Sequence, residues 1–251
     1  MAGDARATYA PINSLKPVTD DVWIVDGPVI RFGPRPFSMP FSTRMTILRV
    51  ANELFIHSPT VLTPSLKAAL DAIGTPRWLI APNRLHYWWI PEWHAAFPDA
   101  AVYLAPRIRE QARGRIDFDS VALDHTGGYP WDAALATLPV TGRYMTEVVF
   151  FHRPSRTLVL TDLIENFEDD KIASPLMRLL TWFGGVRAPD GQMPRDMRLT
   201  FDRRQLKQAV ETMLSWSPER VIIAHGRWFE RNGTHELRRA FRWLLDRSAR
   251  A

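Results

Sequence analysis

Cysteine is absent from all 251 residues, which excludes disulfides, thiolate metal sites and cysteine nucleophiles together. A metal in this chain has only His, Asp and Glu to hold it. No run approaches roughly 18 consecutive apolar residues, and Met1-Ala2-Gly3-Asp4-Ala5-Arg6-Ala7 has no apolar signal-peptide stretch. A cytoplasmic protein without a transmembrane segment is therefore expected. Missing as well are a G-x-S-x-G elbow, a Walker loop and a G-x-G-x-x-G turn, which argues against serine hydrolases and the nucleotide cradles of those kinds. Zinc-finger, K-homology and ribonucleoprotein signatures are lacking too. The net charge of +5 is carried largely by arginines on segments of helical pattern, so solvated helix faces are expected and no nucleic-acid partner is.

What is present is a 46% hydrophobic chain, long enough to bury about 70–75% of its unfolded surface. Ten tryptophans stand out. Trp88, Trp89, Trp93, Trp182, Trp216 and Trp228 fall near the segments discussed below, and core packing is the expected role.

Short apolar runs open the chain: Val22 to Val25, Met45 to Val50 and Leu54 to His57 predict an antiparallel meander. The proline-rich Gly33 to Pro40 predicts a loop, since proline cannot donate to a ladder. From Thr63 the period changes, with Thr63 capping a helix over 64–73 and Gly74 stopping it. A strand over 77–81, a helix over 91–97, a strand over 101–104 and a helix over 106–113 follow. Strands return at 135–140, 147–152 and 157–161, with a hairpin turn at 153–156. A long amphipathic insertion then precedes a helix capped by Asp202, a buried strand over 220–224 and a terminal helix over 234–247.

Polar residues close several of these strands. Ala81-Pro82-Asn83-Arg84-Leu85-His86 follows the strand over 77–81 and precedes Pro91-Glu92; Thr161-Asp162 and Ala224-His225-Gly226 end two later strands. This order resembles the metallo-β-lactamase superfamily over roughly residues 17–245, in a divergent branch of unknown function. The resemblance implies an α/β (α+β) chain folded as a four-layer αββα sandwich. It implies one domain over 17–251 behind a tail of residues 1–16, with the amphipathic insertion at about 167–199. The site is expected along one edge, where loops from both halves meet.

By the resemblance, His86, Asp162 and His225 are the metal ligands and the catalytic residues. Aligned on Pro91-Glu92, Ala81, Asn83 and Leu85 replace the first histidine, the second histidine and the aspartate of the H-x-H-x-D-H loop. Arg143 stands where a further histidine would be, and a fixed cation opposes a second metal. At most one Zn or Fe ion is expected, or none. His57, Asn83, Arg143 and Glu147 are candidates for supporting the ligands; Glu147 reads equally as a carboxylate partner of Arg143 or as a surface residue, and His57 as a turn residue. His94, His125, His152 and His235 are assigned no role.

Two functions stay open. One is a divergent metallo-hydrolase cleaving a small ester, lactone or related electrophile through a single metal-bound water. The other is a non-catalytic ligand-binding or interaction scaffold in which the same three side chains form a hydrogen-bonded polar cluster. A small-molecule partner suits both, and so does a homo-oligomer. The insertion around Leu176 to Phe183 reads as packing against the domain, as a greasy wall over the site, or as a surface for a partner subunit or membrane.

Overall fold

In the computed structural model of the chain, which describes residues 6–32, 39–172 and 174–246, the expected meander forms the first part of a seven-stranded sheet. Strands β1 (Lys16–Thr19) and β2 (Val22–Asp26) are followed by a small hairpin of β3 (Ile30–Phe32) and β4 (Met39–Phe41). Strands β5 (Arg44–Val50) and β6 (Glu53–His57) then pair antiparallel beside β2. Three parallel strands extend the sheet: β7 (Thr75–Ala81), β8 (Ala101–Leu104) and β9 (Val121–Ala122). Their crossovers carry helices α1 (Pro64–Asp71), α2 (Ile90–Ala96) and α3 (Ile108–Ala112). Thr63 caps α1, its Oγ1 accepting from the Leu66 N–H.

The second sheet is β10 (Leu135–Thr141), β11 (Thr146–His152) and β12 (Thr157–Val159), antiparallel in sequence, with β13 (Arg220–Ile222) parallel to β12. The chain between β12 and β13 contains helices α4 (Pro175–Gly184), α5 (Arg195–Arg198) and α6 (Arg203–Ser215), and α7 (Gly233–Ala240) and α8 (Arg242–Leu245) close the chain.

Strand alternation produces the layers. Successive side chains of β11 point to opposite faces. Val148 and Phe150 therefore enter the core between the two sheets, where Phe150 meets Phe55 edge-on at 4.9 Å. Val149 and Phe151 face the other way and pack with Leu206, Val210, Leu237 and Phe241 of α6 and α7 and the turn after α7. Val159 and Ile222 share the first core while Leu158 and Val221 share the second, which makes a four-layer αββα sandwich.

Several local expectations change. Residues 33–38 of the proline-rich segment lie outside the described residues, but Met39 and Pro40 belong to β4 rather than a loop. The helix expected over 106–113 shrinks to Ile108–Ala112, because Arg107 and Arg113 both adopt left-handed backbone at its ends. The terminal helix is broken at Phe241, and Arg247 lies outside the described residues. Residues just before β1 are tied to the body, as Tyr9 donates to Glu168 at 2.6 Å and Lys171 to the Thr8 carbonyl.

One buried arginine joins the halves. Arg44 pairs with Asp26 at 2.7 Å within the first sheet, and its Nη1 donates to the carbonyls of Ile223 and Gly226 beyond β13. Replacing Arg44 with Met leaves the Asp26 carboxylate buried with only Lys16 as cationic partner. Urea unfolding of Arg44→Met should show a loss of about 3–5 kcal/mol. A loss under about 1 kcal/mol would mean that Arg44 does not fasten the two halves.

Candidate functional site

The parallel strands bring their carboxyl ends to one edge. Asn83 and His86 follow β7, Asp162 follows β12 and His225 follows β13; the two sheets touch there, the Val148 N–H donating to the Pro82 carbonyl at 2.8 Å. Asn83 Oδ1 accepts from the N–H groups of Leu85 and His86, a local turn that carries His86 back over the edge. Gly226 has a φ of +86°, and a Cβ there would lie 2.1 Å from the Asn166 carbonyl oxygen. Only glycine lets the chain after His225 pass so close.

Three donor atoms converge. His86 Nε2 lies 3.3 Å from Asp162 Oδ1 and 3.2 Å from His225 Nε2, which lies 3.0 Å from Asp162 Oδ1. Atoms bound to a tetrahedral zinc at about 2.0–2.1 Å stand about 3.3 Å apart, so the three fit one ion. They are the one such His, Asp and Glu group among the described residues.

The far sides of the rings are already engaged. His225 Nδ1 is 2.6 Å from the Ser42 carbonyl, which only accepts, so Nδ1 carries a proton and the ring is fixed with Nε2 facing Asp162. His86 Nδ1 meets Ser58 Oγ at 2.7 Å. Asp162 Oδ2 accepts from Asn83 Nδ2 at 2.6 Å, which leaves Oδ1 for the centre.

The charges follow from burial and contact. Burial works to raise the Asp162 carboxyl, but the His86 charge and hydrogen bonds from both imidazoles outweigh it and hold it far below the carboxylate range. His225 moves the other way: burial pulls it down, and the Asp162 bond and charge, with Glu165, leave it raised.

The supporting residues divide. Asn83 bridges Thr161, Asp162 and the turn to His86. Glu147 is neither a partner of Arg143 nor a surface residue. It is buried, and its oxygens accept the N–H groups of Thr161, Asp162 and Leu163, which fixes the turn that presents Asp162. Burial and the Asp162 charge push its carboxyl up to about 7. Arg143 is exposed, and its backbone rather than its guanidinium is engaged, with Thr200 and Arg107, so it does not support the ligands.

His57 is buried edge-on to Phe150 with its Nε2 unpartnered, and burial and the His86 charge push it down to about 3. It is therefore not the turn residue that Ser58-Pro59 implied. The contact to His86 comes from Ser58 instead, whose left-handed φ of 53° redirects the chain after β6. Ser58, Ser42 and Glu165 escaped the sequence reading. Nothing local marks the serines, although Glu165 sits three residues beyond Asp162.

The comparisons accord with this geometry. No protein-family model matches the chain, and no curated protein matches it. Solved structures do. The DIM-1 metallo-β-lactamase superposes at a TM-score of 0.62 with 11% identity, over 93% of this chain and 97% of that one. FIM-1 from Pseudomonas aeruginosa, in a mono-zinc form, gives 0.58 and 11% over 95% and 96%. The enzyme from Erythrobacter litoralis gives 0.60 and 12% over 95% and 98%. The chain has the metallo-β-lactamase fold.

In this metallo-β-lactamase fold the three donors open into a cavity of about 720 Å³, a size usual for ligand sites. Leu85, Phe41, Val186 and Met197 are among its apolar walls, and Glu165, Arg195 and Asp196 among its polar ones. Trp93 and Trp216 pack as expected, Trp216 stacking on Phe151. Trp88 and Trp182 do not: both are about half exposed, and Trp88 lines the cavity. No helix among the described residues is long and apolar enough to cross a membrane.

Burial pushes the Glu165 carboxyl up to about 8, the neighbouring Asp162 charge adding to the rise and His225 opposing it. The unfolded chain ionises this group near 4.5, so the folded state loses stability as pH rises from 4.5 through 8. In metal-free protein, Glu165→Gln should match the parent at low pH and gain on it with rising pH, by up to about 5 kcal/mol above the folded pKa. A pH-independent difference between their unfolding curves would show that Glu165 ionises normally.

Proposed function

We propose that the protein is a metal-dependent hydrolase of small carbonyl electrophiles such as esters or lactones, holding one Zn²⁺ or Fe²⁺ on His86, Asp162 and His225. The observation that carries this reading is the convergence of the two Nε2 atoms and Asp162 Oδ1 at the floor of a cavity, with the rings oriented from behind by Ser42 and Ser58. A bound ion supplies Lewis acidity, polarising a carbonyl and drawing the pKa of water toward about 7.

The chain's own residues do the rest. Asn83 and Glu147 hold the Asp162 turn, and the buried backs of the rings keep both imidazoles from turning away. Glu165, whose side chain lines the cavity beside the three ligands, is placed to pass a proton to the departing oxygen. Leu85, Phe41 and Val186 limit water on the reacting side. Ala81 and Leu85 offer no donor and Arg143 is a cation, so one ion per chain is the limit. A neighbour of the same fold, FIM-1, is known in a mono-zinc form.

A second reading has its own support, because the three side chains already contact one another without an ion. As a scaffold, the protein would keep the cluster to pin three strand ends.

His225→Ala separates the readings. For the hydrolase, elemental analysis of protein purified without chelator should give at most one metal per chain, and the variant should lose metal and ester hydrolysis together. For the scaffold, the protein is metal-free and the variant mainly less stable, by about 1–3 kcal/mol, as Asp162 loses a buried partner. Two tightly bound ions would overturn the ligand assignment.

A further inference from the structure

Helix α4 wears its apolar stripe on the outside. Leu176, Leu179, Leu180 and Phe183 recur at the spacing of one helix face, yet each is about half exposed, as is the adjacent Trp182. The side turned inward is narrower and rests on Met177 and Thr181. A helix held by packing alone would direct its stripe at the core, so packing against the domain does not account for this segment. The stripe also has a destination. Leu180 and Phe183 pass into the wall of the cavity, where Val186, Met197 and Ile30 continue the apolar surface toward the floor formed by His86, Asp162 and His225.

An apolar track thus runs from the molecular surface to the reactive cluster. A small polar ester would leave most of this wall uncovered. We propose that the substrate carries an acyl chain of medium or greater length, which lies along the track from Leu180 and Phe183 while its carbonyl reaches the cluster. The inference rests on the hydrolase reading and adds what fills the cavity. The balance is that of hydrolysis: the oxygen of water bonds to the acyl carbon, the bond from that carbon to the alcohol oxygen breaks, and the products are a carboxylate, an alcohol and a proton.

Binding is tested without catalysis. The N-methyl amides of acetic, hexanoic and decanoic acids are neutral and resist hydrolysis, and they can be titrated calorimetrically into metal-free protein. Affinity should rise roughly three- to four-fold per methylene, about a hundred-fold from hexanoyl to decanoyl. Leu180→Asp and Phe183→Asp should flatten that rise while leaving metal content and melting temperature near the parent, since both side chains are half exposed. In a parallel arm, p-nitrophenyl acetate, hexanoate and decanoate are tested with metal-loaded protein.

A binding series without chain-length dependence overturns the inference, whatever the hydrolysis arm shows. A steep binding series with no hydrolysis of any ester upholds the acyl site and overturns the hydrolase reading. Sedimentation with phosphatidylglycerol vesicles distinguishes the source of the chain: binding lost in Leu176→Asp marks a bilayer-borne substrate, and no binding marks one taken from solution. A dimer that Leu176→Asp dissociates, together with a flat amide series, would show that a second copy covers the stripe instead.

Discussion

Asp162 keeps a negative charge where water hardly reaches it, and the surrounding edge of the molecule is arranged around that requirement. Its Oδ2 is held by Asn83, its Oδ1 faces two imidazoles, and the backbone of its turn is fixed by the carboxylate of Glu147. A buried charge without such partners costs several kcal/mol. The imidazoles hold Asp162 low and its charge in turn raises His225, while burial, with the Asp162 charge added, raises Glu147. Removing any one member would leave the others without a buried partner.

The unit holds its shape because the two sheets meet behind it. Arg44 reaches from the first sheet to the carbonyls of Ile223 and Gly226, and Pro82 accepts from Val148 across the edge. Donor atoms on three separate strand ends are thereby kept within 3.3 Å of each other. Orientation of this kind is what a site needs before any ligand arrives, since a side chain left free to rotate loses entropy on binding.

Above this polar floor the character of the wall changes. The His86, Asp162 and His225 cluster is supported by hydrogen bonds from strand ends, whereas the cavity is bounded by α4, which meets the rest of the protein through a few side chains. The polar cluster and the apolar wall thus come from different parts of the fold. One is built on the sandwich and the other on the chain inserted between β12 and β13.

Much of this was readable from residue patterns. Strand runs such as Val22 to Val25 and Arg220 to Ala224 announce themselves because burial on both faces demands continuous apolar side chains, and Thr63 and Asp202 mark helix starts by a local hydrogen bond. His86, Asp162 and His225 were found because each follows such a strand at a place where the resembled superfamily carries a ligand. Local pattern could not show that Ser58 rather than His57 touches His86, that the Ser42 carbonyl orients His225, or that Glu147 is buried beneath the Asp162 turn. Those contacts join residues up to 183 positions apart. They depend on how the two sheets are laid together, and the same distance explains α4: a helical period predicts an apolar face from sequence, but only packing decides whether that face turns toward the core or away from it.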